Sequence, residues 1–281
     1  MSSILNTIGT VGIFVFVFSS MLAIGVGYTV QELVVPLRNG RLLLLTLIAN
    51  FVILPLGSVA IGIGLRLEKP LATGLALLGA VSGTPFVPKL VEYARGNLKF
   101  AVGTMVLLVV GTIAYVPFIL PLVCADIVVK PWMVARPLIL FNLLPLALGL
   151  VIRACSGVVA ARLRPVFDRI SNGSLLPVVL FVSALNIGNI LYVLGTGAIL
   201  AGMLLLSLGL VVGWLLGGPA DDTRRALAIN TGLRNFAVAI VVASQSFEDQ
   251  RVEIMVIVTA VITLLIILPL SRAWGLLPLN N

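Results

Sequence analysis

Two short runs carry charge and hydrogen-bonding capacity inside otherwise apolar sequence. The first is Ser82-Gly83-Thr84-Pro85-Phe86-Val87-Pro88-Lys89; the second is Asn230-Thr231-Gly232-Leu233-Arg234-Asn235. Hydroxyls, amides and two fixed cations, Lys89 and Arg234, are groups that bind an oxyanion or hold backbone carbonyls. They do not supply the acid, base and nucleophile that catalysis needs. The chain has no histidine, which removes most zinc, haem and imidazole chemistry. It also lacks paired intramembrane carboxylates and metal-ligand spacing, so neither an enzyme nor a cofactor or metal centre is expected. Cys124 and Cys155 form no motif and read as inert thiols.

A charged side chain at bilayer depth costs about 2.5–3.5 kcal/mol on insertion scales and marks a functional site by default. Three readings of the cations stay open. Arg234 donates to helix-end carbonyls and pins the structure, Lys89 and Arg234 together bind an anionic substrate, or the side chains snorkel to an interface. The first two are compatible. Glu92 follows Lys89 by three residues and can pair with it on one helix face. Asn50, Thr84, Asn230 and Asn235 are either satisfied interior groups or contacts for a substrate.

The elements that must position these residues are membrane helices. Of 281 residues, 60% are hydrophobic and 10% charged, against roughly 45–50% and about 25% for a soluble domain. A chain of this composition cannot bury its apolar surface in water, so the lipid bilayer is its solvent. The net charge of +8 comes from basic residues standing singly or in pairs between apolar runs. That pattern is the positive-inside signal of a membrane protein, and no nucleic-acid partner is expected. The first apolar run has no basic flank or small-residue cleavage site and reads as a retained span.

A spanning helix needs about 20 apolar residues, and nine candidates fit: 7–30, 42–65, 71–93, 100–124, 133–155, 171–192, 197–217, 224–247 and 253–274. Asn186, Gly188, Asn189 and Gly195-Thr196-Gly197 divide the sixth from the seventh. With the N-terminus outside, the inner loops hold Arg38, Arg41, Arg95, Lys99, Arg153, Arg162, Arg164, Arg169, Arg224, Arg225 and Arg272. The outer loops hold only Arg66, Lys69, Lys130, Arg136 and Arg251. An outside N-terminus and a cytoplasmic C-terminus in a cell (inner or plasma) membrane follow. Gly83, Pro85 and Pro88 predict a break in the third span, since each proline removes a backbone donor. Gly232 and its polar neighbours predict another in the eighth. Irregular backbone at membrane depth survives only where protein or a cavity surrounds it. Broken helices in two halves of a chain point to a transporter's substrate site.

Several runs resemble the bile acid:sodium symporter family: Ser20 to Thr29, Ile48-Ala49-Asn50-Phe51 with Pro55, Gly83-Thr84, Tyr93-Ala94-Arg95-Gly96-Asn97, and Ala228 to Asn235. The resemblance implies an all-α integral membrane fold of nine transmembrane helices, an inverted repeat with two crossing discontinuous helices. It implies one transporter domain over 1–281, with a panel at about 7–30 and 133–192 and a core at about 42–124 and 197–274. The family's sodium sites are built from oxygen donors. Here Asn230 stands where the family has Glu, and Arg234 where it has Gln. Val87-Pro88 stands where it has Ser-Asn, and Ala101 and Met105 replace hydroxyl positions of the next helix. Sodium binding in the family's manner is therefore not expected. The reading is a secondary transporter of a small organic anion working by alternating access. A sodium-coupled symporter and a receptor or sensor on the same fold are the alternatives. Substrate identity, direction of flux and oligomeric state leave no mark in the sequence.

Overall fold

The computed structural model describes residues 2–123 and 130–278. Cys124 lies outside them; Cys155 is a free, exposed thiol. Among the described residues the chain is helical without strands. In chain order the helices are α1 (Ser2–Gly27), α2 (Val30–Val34), α3 (Gly40–Gly64), α4 (Lys69–Ala80), α5 (Val87–Tyr93), α6 (Leu98–Val123) and α7 (Pro131–Cys155). There follow α8 (Gly157–Leu185), α9 (Ile187–Tyr192), α10 (Ala198–Leu216), α11 (Asp221–Gly232), α12 (Phe236–Ser246) and α13 (Gln250–Leu276). Seven described helices are long and apolar enough to cross a membrane, the stretch Asp221–Ser246 counting as one; Val11–Gly27 is a shorter apolar helix. The third predicted span is not one helix but the pair α4 and α5.

The sixth predicted span needs correction. Expected from 171, its helix begins at Gly157, so Arg162, Arg164 and Arg169 lie on a helix and not in a loop. Hydropathy alone excluded this charged turn. The turn is helical because it is amphipathic: Arg164 reaches Asp168 one turn on at 3.7 Å and lies over the Tyr28 ring at 5.6 Å.

Proline shapes two of the long helices. A π-turn at Ala49–Ile53 precedes Leu54-Pro55 in α3, and another at Ile139–Leu143 precedes Leu144-Pro145 in α7. Proline offers no N–H to the preceding turn, and the wider π-turn absorbs the mismatch.

Helix α1 packs along α7 and α8. A second group joins α3 with α4, α13 with α4, α10 and α12, and α10 with α11. Gly209 and Gly213 on α10 and Gly217 just beyond its end recur every fourth residue, and a Cβ at Gly213 would sit 2.5 Å from the Ala228 Cα. Small residues at this spacing let two backbones approach without lipid between them, which seats α11 beside α10. At the start of α11, the turn after α5 is fixed by Asn97. Its side chain caps Phe100 N–H at 3.1 Å and donates to Asp222 Oδ2 at 3.0 Å. Polar ties close the loops: Lys99 to Glu32 at 2.8 Å, and Arg251 to Glu68 and Asp249 at 2.7 Å each.

Candidate functional site

Both anticipated breaks are present, and they meet. The first spans 81–86, between α4 and α5; the second spans 233–235, between α11 and α12. The halves pair reciprocally, α5 with α11 and α4 with α12. Gly83 takes φ +77, and a Cβ there would come within 2.6 Å of Val109 N, so the turn demands glycine. Pro85 sits in the turn. Pro88 belongs to the first turn of α5, where a missing N–H costs nothing; it starts the second half-helix and does not lie in the break. Gly232 is the last residue of α11.

Arg234 is buried at this meeting point, 1% exposed. Its Nε donates to Leu78 O at 2.9 Å, and Nη2 to Gly79 O at 2.6 Å. Nη1 donates to Asn50 Oδ1 at 3.0 Å and more weakly to Thr231 O at 3.4 Å. The two strong carbonyl acceptors are in the last turn of α4. The final carbonyls of a helix have no intrahelical donor and carry partial negative charge. A guanidinium supplies both the missing donors and the compensating charge. Asn50, held by the π-turn of α3, donates in turn to Thr46 O at 3.1 Å and Thr231 Oγ1 at 3.2 Å.

Asn235 closes the same junction from the other side. Its Nδ2 donates to Gly83 O at 2.6 Å, while its Oδ1 accepts from Val238 N–H at 3.2 Å and caps α12. Asn230, fully buried, donates to Thr104 Oγ1 at 2.7 Å and to Ala101 O at 3.4 Å. Among the described residues its Oδ1 has no partner.

Lys89 is elsewhere. Its Nζ binds Glu92 at 2.6 Å, as the three-residue spacing predicts, and lies 5.7 Å over the Tyr93 ring. Tyr93 also carries Arg272 over its ring at 5.4 Å and donates to Asn172 at 3.3 Å, which ties α5 to α13 and α8. Lys89, Glu92, Tyr28, Arg164 and Asp168 line a recess of about 30 Å3 between α1, α5 and α8. Further along α1 a larger cavity of about 520 Å3 opens against α7, α12 and the first break. Val17, Phe14, Phe86, Leu138, Phe141 and Phe236 make it apolar; Thr84, Asn142 and Asn235 give it polar groups. Of the six anticipated binding residues, then, Thr84 and Asn235 reach this cavity. Asn50, Asn230 and Arg234 form the junction behind it. Lys89 faces the narrow recess.

Some residues of the site had no place in the sequence reading. Asn142, 2% exposed, donates to Gly83 O at 3.4 Å; its signal was the proline three residues later. Thr112 on α6 bonds the backbone of Ser82 through both its lone pair and its proton, at 3.2 and 3.1 Å. Arg225, assigned to a loop, is 3% exposed and donates to Ala94 O, Trp274 O, Leu277 O and Pro278 O at 2.8–3.3 Å.

The model of the sodium bile acid symporter family matches residues 14–193, well over half of the chain. The chain belongs to that family. It is also 25% identical, over 253 residues, to the protein named uncharacterized sodium-dependent transporter YocS of Bacillus subtilis (strain 168). That alignment covers 84% of this chain and 75% of the relative. Membership in the symporter family makes the chain a multi-pass membrane transporter of small solutes.

Proposed function

We propose that the chain is a secondary transporter of a small amphipathic organic anion, with Arg234 as a resident cation at the junction of its two broken helices. The observation that carries this reading is the buried guanidinium, which donates to Leu78 O, Gly79 O and Asn50 Oδ1. Oxygen atoms gathered this way would suit a hard cation, and Arg234 already occupies them. It is permanently charged and tethered, so it stabilises the junction without carrying gradient energy.

In this reading nine crossings form an inverted repeat, α1, α7, α8 and α9 make the panel, and the helices over about 42–124 and 197–274 make the core. The N-terminus lies outside, which the loop charges support. The larger cavity then faces outward. Its apolar walls suit a hydrophobic body, and the first turn of α12 beside Thr84 suits an anionic head, because helix N-termini attract negative charge. The narrow recess is the closed inner gate, where Lys89 and Glu92 of the core meet Arg164, Asp168 and Tyr28 of the panel. Alternating access opens that charged seam as the outer cavity closes.

A specific observation favours a second reading, coupling to sodium. Asn230 Oδ1 has no partner among the described residues, while the Nδ2 of the same amide donates to Thr104 Oγ1 and the Ala101 carbonyl; with that amide turned over, its oxygen would join theirs in a set a sodium ion could share. The Bacillus subtilis relative is also named as a sodium-dependent transporter. Uptake of a panel of aliphatic and aromatic carboxylates into proteoliposomes, under separate sodium, potassium and pH gradients, decides between them. The first reading expects saturable carboxylate uptake that is unchanged when potassium replaces sodium. Uptake that saturates with sodium supports the second and refutes a built-in replacement. Binding of cations or neutral compounds in place of carboxylates overturns the substrate class.

A further inference from the structure

A separate recess of about 690 Å3 opens where the N-terminus of α3 meets the loop from α10 to α11. Asn39, Arg41, Thr223 and Arg224 stand on its rim, and Leu45 and Leu215 on its wall. We propose that this recess binds the head group of an anionic phospholipid, with an acyl chain running down the groove between α3 and α10. The proposal is independent of the substrate site.

Charge complementarity is the first argument. Arg224 is held in place by its own bond to Gly218 O at 2.7 Å, with Asp221 at a loose 3.7 Å. Arg41 lines the same recess, and Arg38 precedes the helix by two residues. Among the described residues neither Arg38 nor Arg41 has an acidic partner. The two guanidinium groups at this rim, Arg41 and Arg224, repel unless an anion is shared between them. The rim also holds the start of α3, whose first N–H groups have no intrahelical acceptor, and Asn39 Oδ1 takes only that of Leu42.

Position is the second argument, and it selects a lipid over a soluble anion. Trp214 packs against Trp274 with the rings tilted and their centroids 5.5 Å apart, and paired tryptophans mark the head-group level of a bilayer. Leu215 is the next residue, 72% exposed, and Leu44 beside Leu45 is 57% exposed. The recess therefore runs from a basic rim at the interface onto leucines that face acyl chains. Basic pockets between transmembrane helices at the cytoplasmic face suit anionic head groups, and the loop charges assign this end to the cytoplasm.

The test uses the full chain purified in detergent, with phosphatidylglycerol, phosphatidylcholine or inorganic phosphate (as the potassium salt) added. Native mass spectrometry and thermal unfolding follow each addition. Saturable retention and stabilisation by phosphatidylglycerol alone are expected. Arg41→Gln should weaken that binding about fivefold, the value of one surface cation against an anionic membrane. Arg169→Gln, an exposed arginine on α8, should leave it unchanged. Equal binding of phosphatidylcholine, equal effects of the two variants, or stabilisation by inorganic phosphate alone would each overturn the proposal.

Discussion

The two breaks achieve the same interruption by opposite means. The first is written in the backbone: a glycine at φ +77, a proline in the turn and another opening the next helix. It leaves carbonyls at Leu78, Gly79 and Gly83 facing inward without helical donors. The second has no proline. It is three residues long, and two of them, Arg234 and Asn235, donate to those same carbonyls. One break supplies acceptors and the other supplies donors. In lipid, where no water replaces a missing partner, neither is stable alone. The two broken helices of this chain are thus coupled by complementary chemistry as well as by packing.

Removing the donor that serves two carbonyls should have the largest effect. Arg234→Met leaves the end of α4 buried and unpaired, and a loss of about 3–5 kcal/mol is expected, seen as a large fall in the melting temperature in detergent. Arg234→Lys should recover only part of it, because an ammonium lacks the planar fork. A Met variant melting with wild type would sink the donor–acceptor account. Gly83→Ala attacks the acceptor side through strain at its positive φ and the close Val109 backbone, at about 1–3 kcal/mol. Asn235→Ala removes one donor and the cap of α12 together. Its expected cost is about 1–2 kcal/mol, and a smaller loss than for Arg234→Met tests the ranking.

Acid supplies the mildest contrast. Neither break contains a carboxylate or an imidazole. The Glu32 carboxyl, outside the spans, is different: bonds from Lys99 and from Thr29 N–H hold it at about 2, below its ordinary 4.5. With the folded value depressed, its contribution is fully present above pH 4.5 and fades as pH falls towards 2. Melting measured from pH 6 to 3 should show a small loss that Glu32→Gln abolishes. A loss that persists in Glu32→Gln would place the sensitive group elsewhere.

Both breaks were legible in the sequence because proline, glycine and fixed charge are conspicuous in apolar runs. The junction's polar members Asn50, Asn230 and Asn235 were legible for the same reason. What could not be read was which acceptors they serve. Arg225 looked like a loop residue beside Asp221, Asp222 and Arg224. It is buried because four carbonyls from two distant segments converge on it, and carbonyls have no residue-type signature. Lys89 and Arg234 were both visible as intramembrane cations, yet sequence distance says nothing about which side of the junction each faces. The early start of α8 escaped for a related reason, since a charged amphipathic turn scores as loop on hydropathy alone.

The junction also has a schedule. Gly79 and the guanidinium that caps it are 155 residues apart in the chain. At synthesis rates of about 5–20 residues per second, the first break waits roughly 10–30 s for its donor. During that interval the α4 carbonyls must be met by water or by the insertion machinery, and α4 and α5 cannot yet be settled in lipid. A ribosome that pauses before residue 234 leaves a half-made membrane protein with its most polar backbone exposed, the moment at which quality control can distinguish it from finished protein.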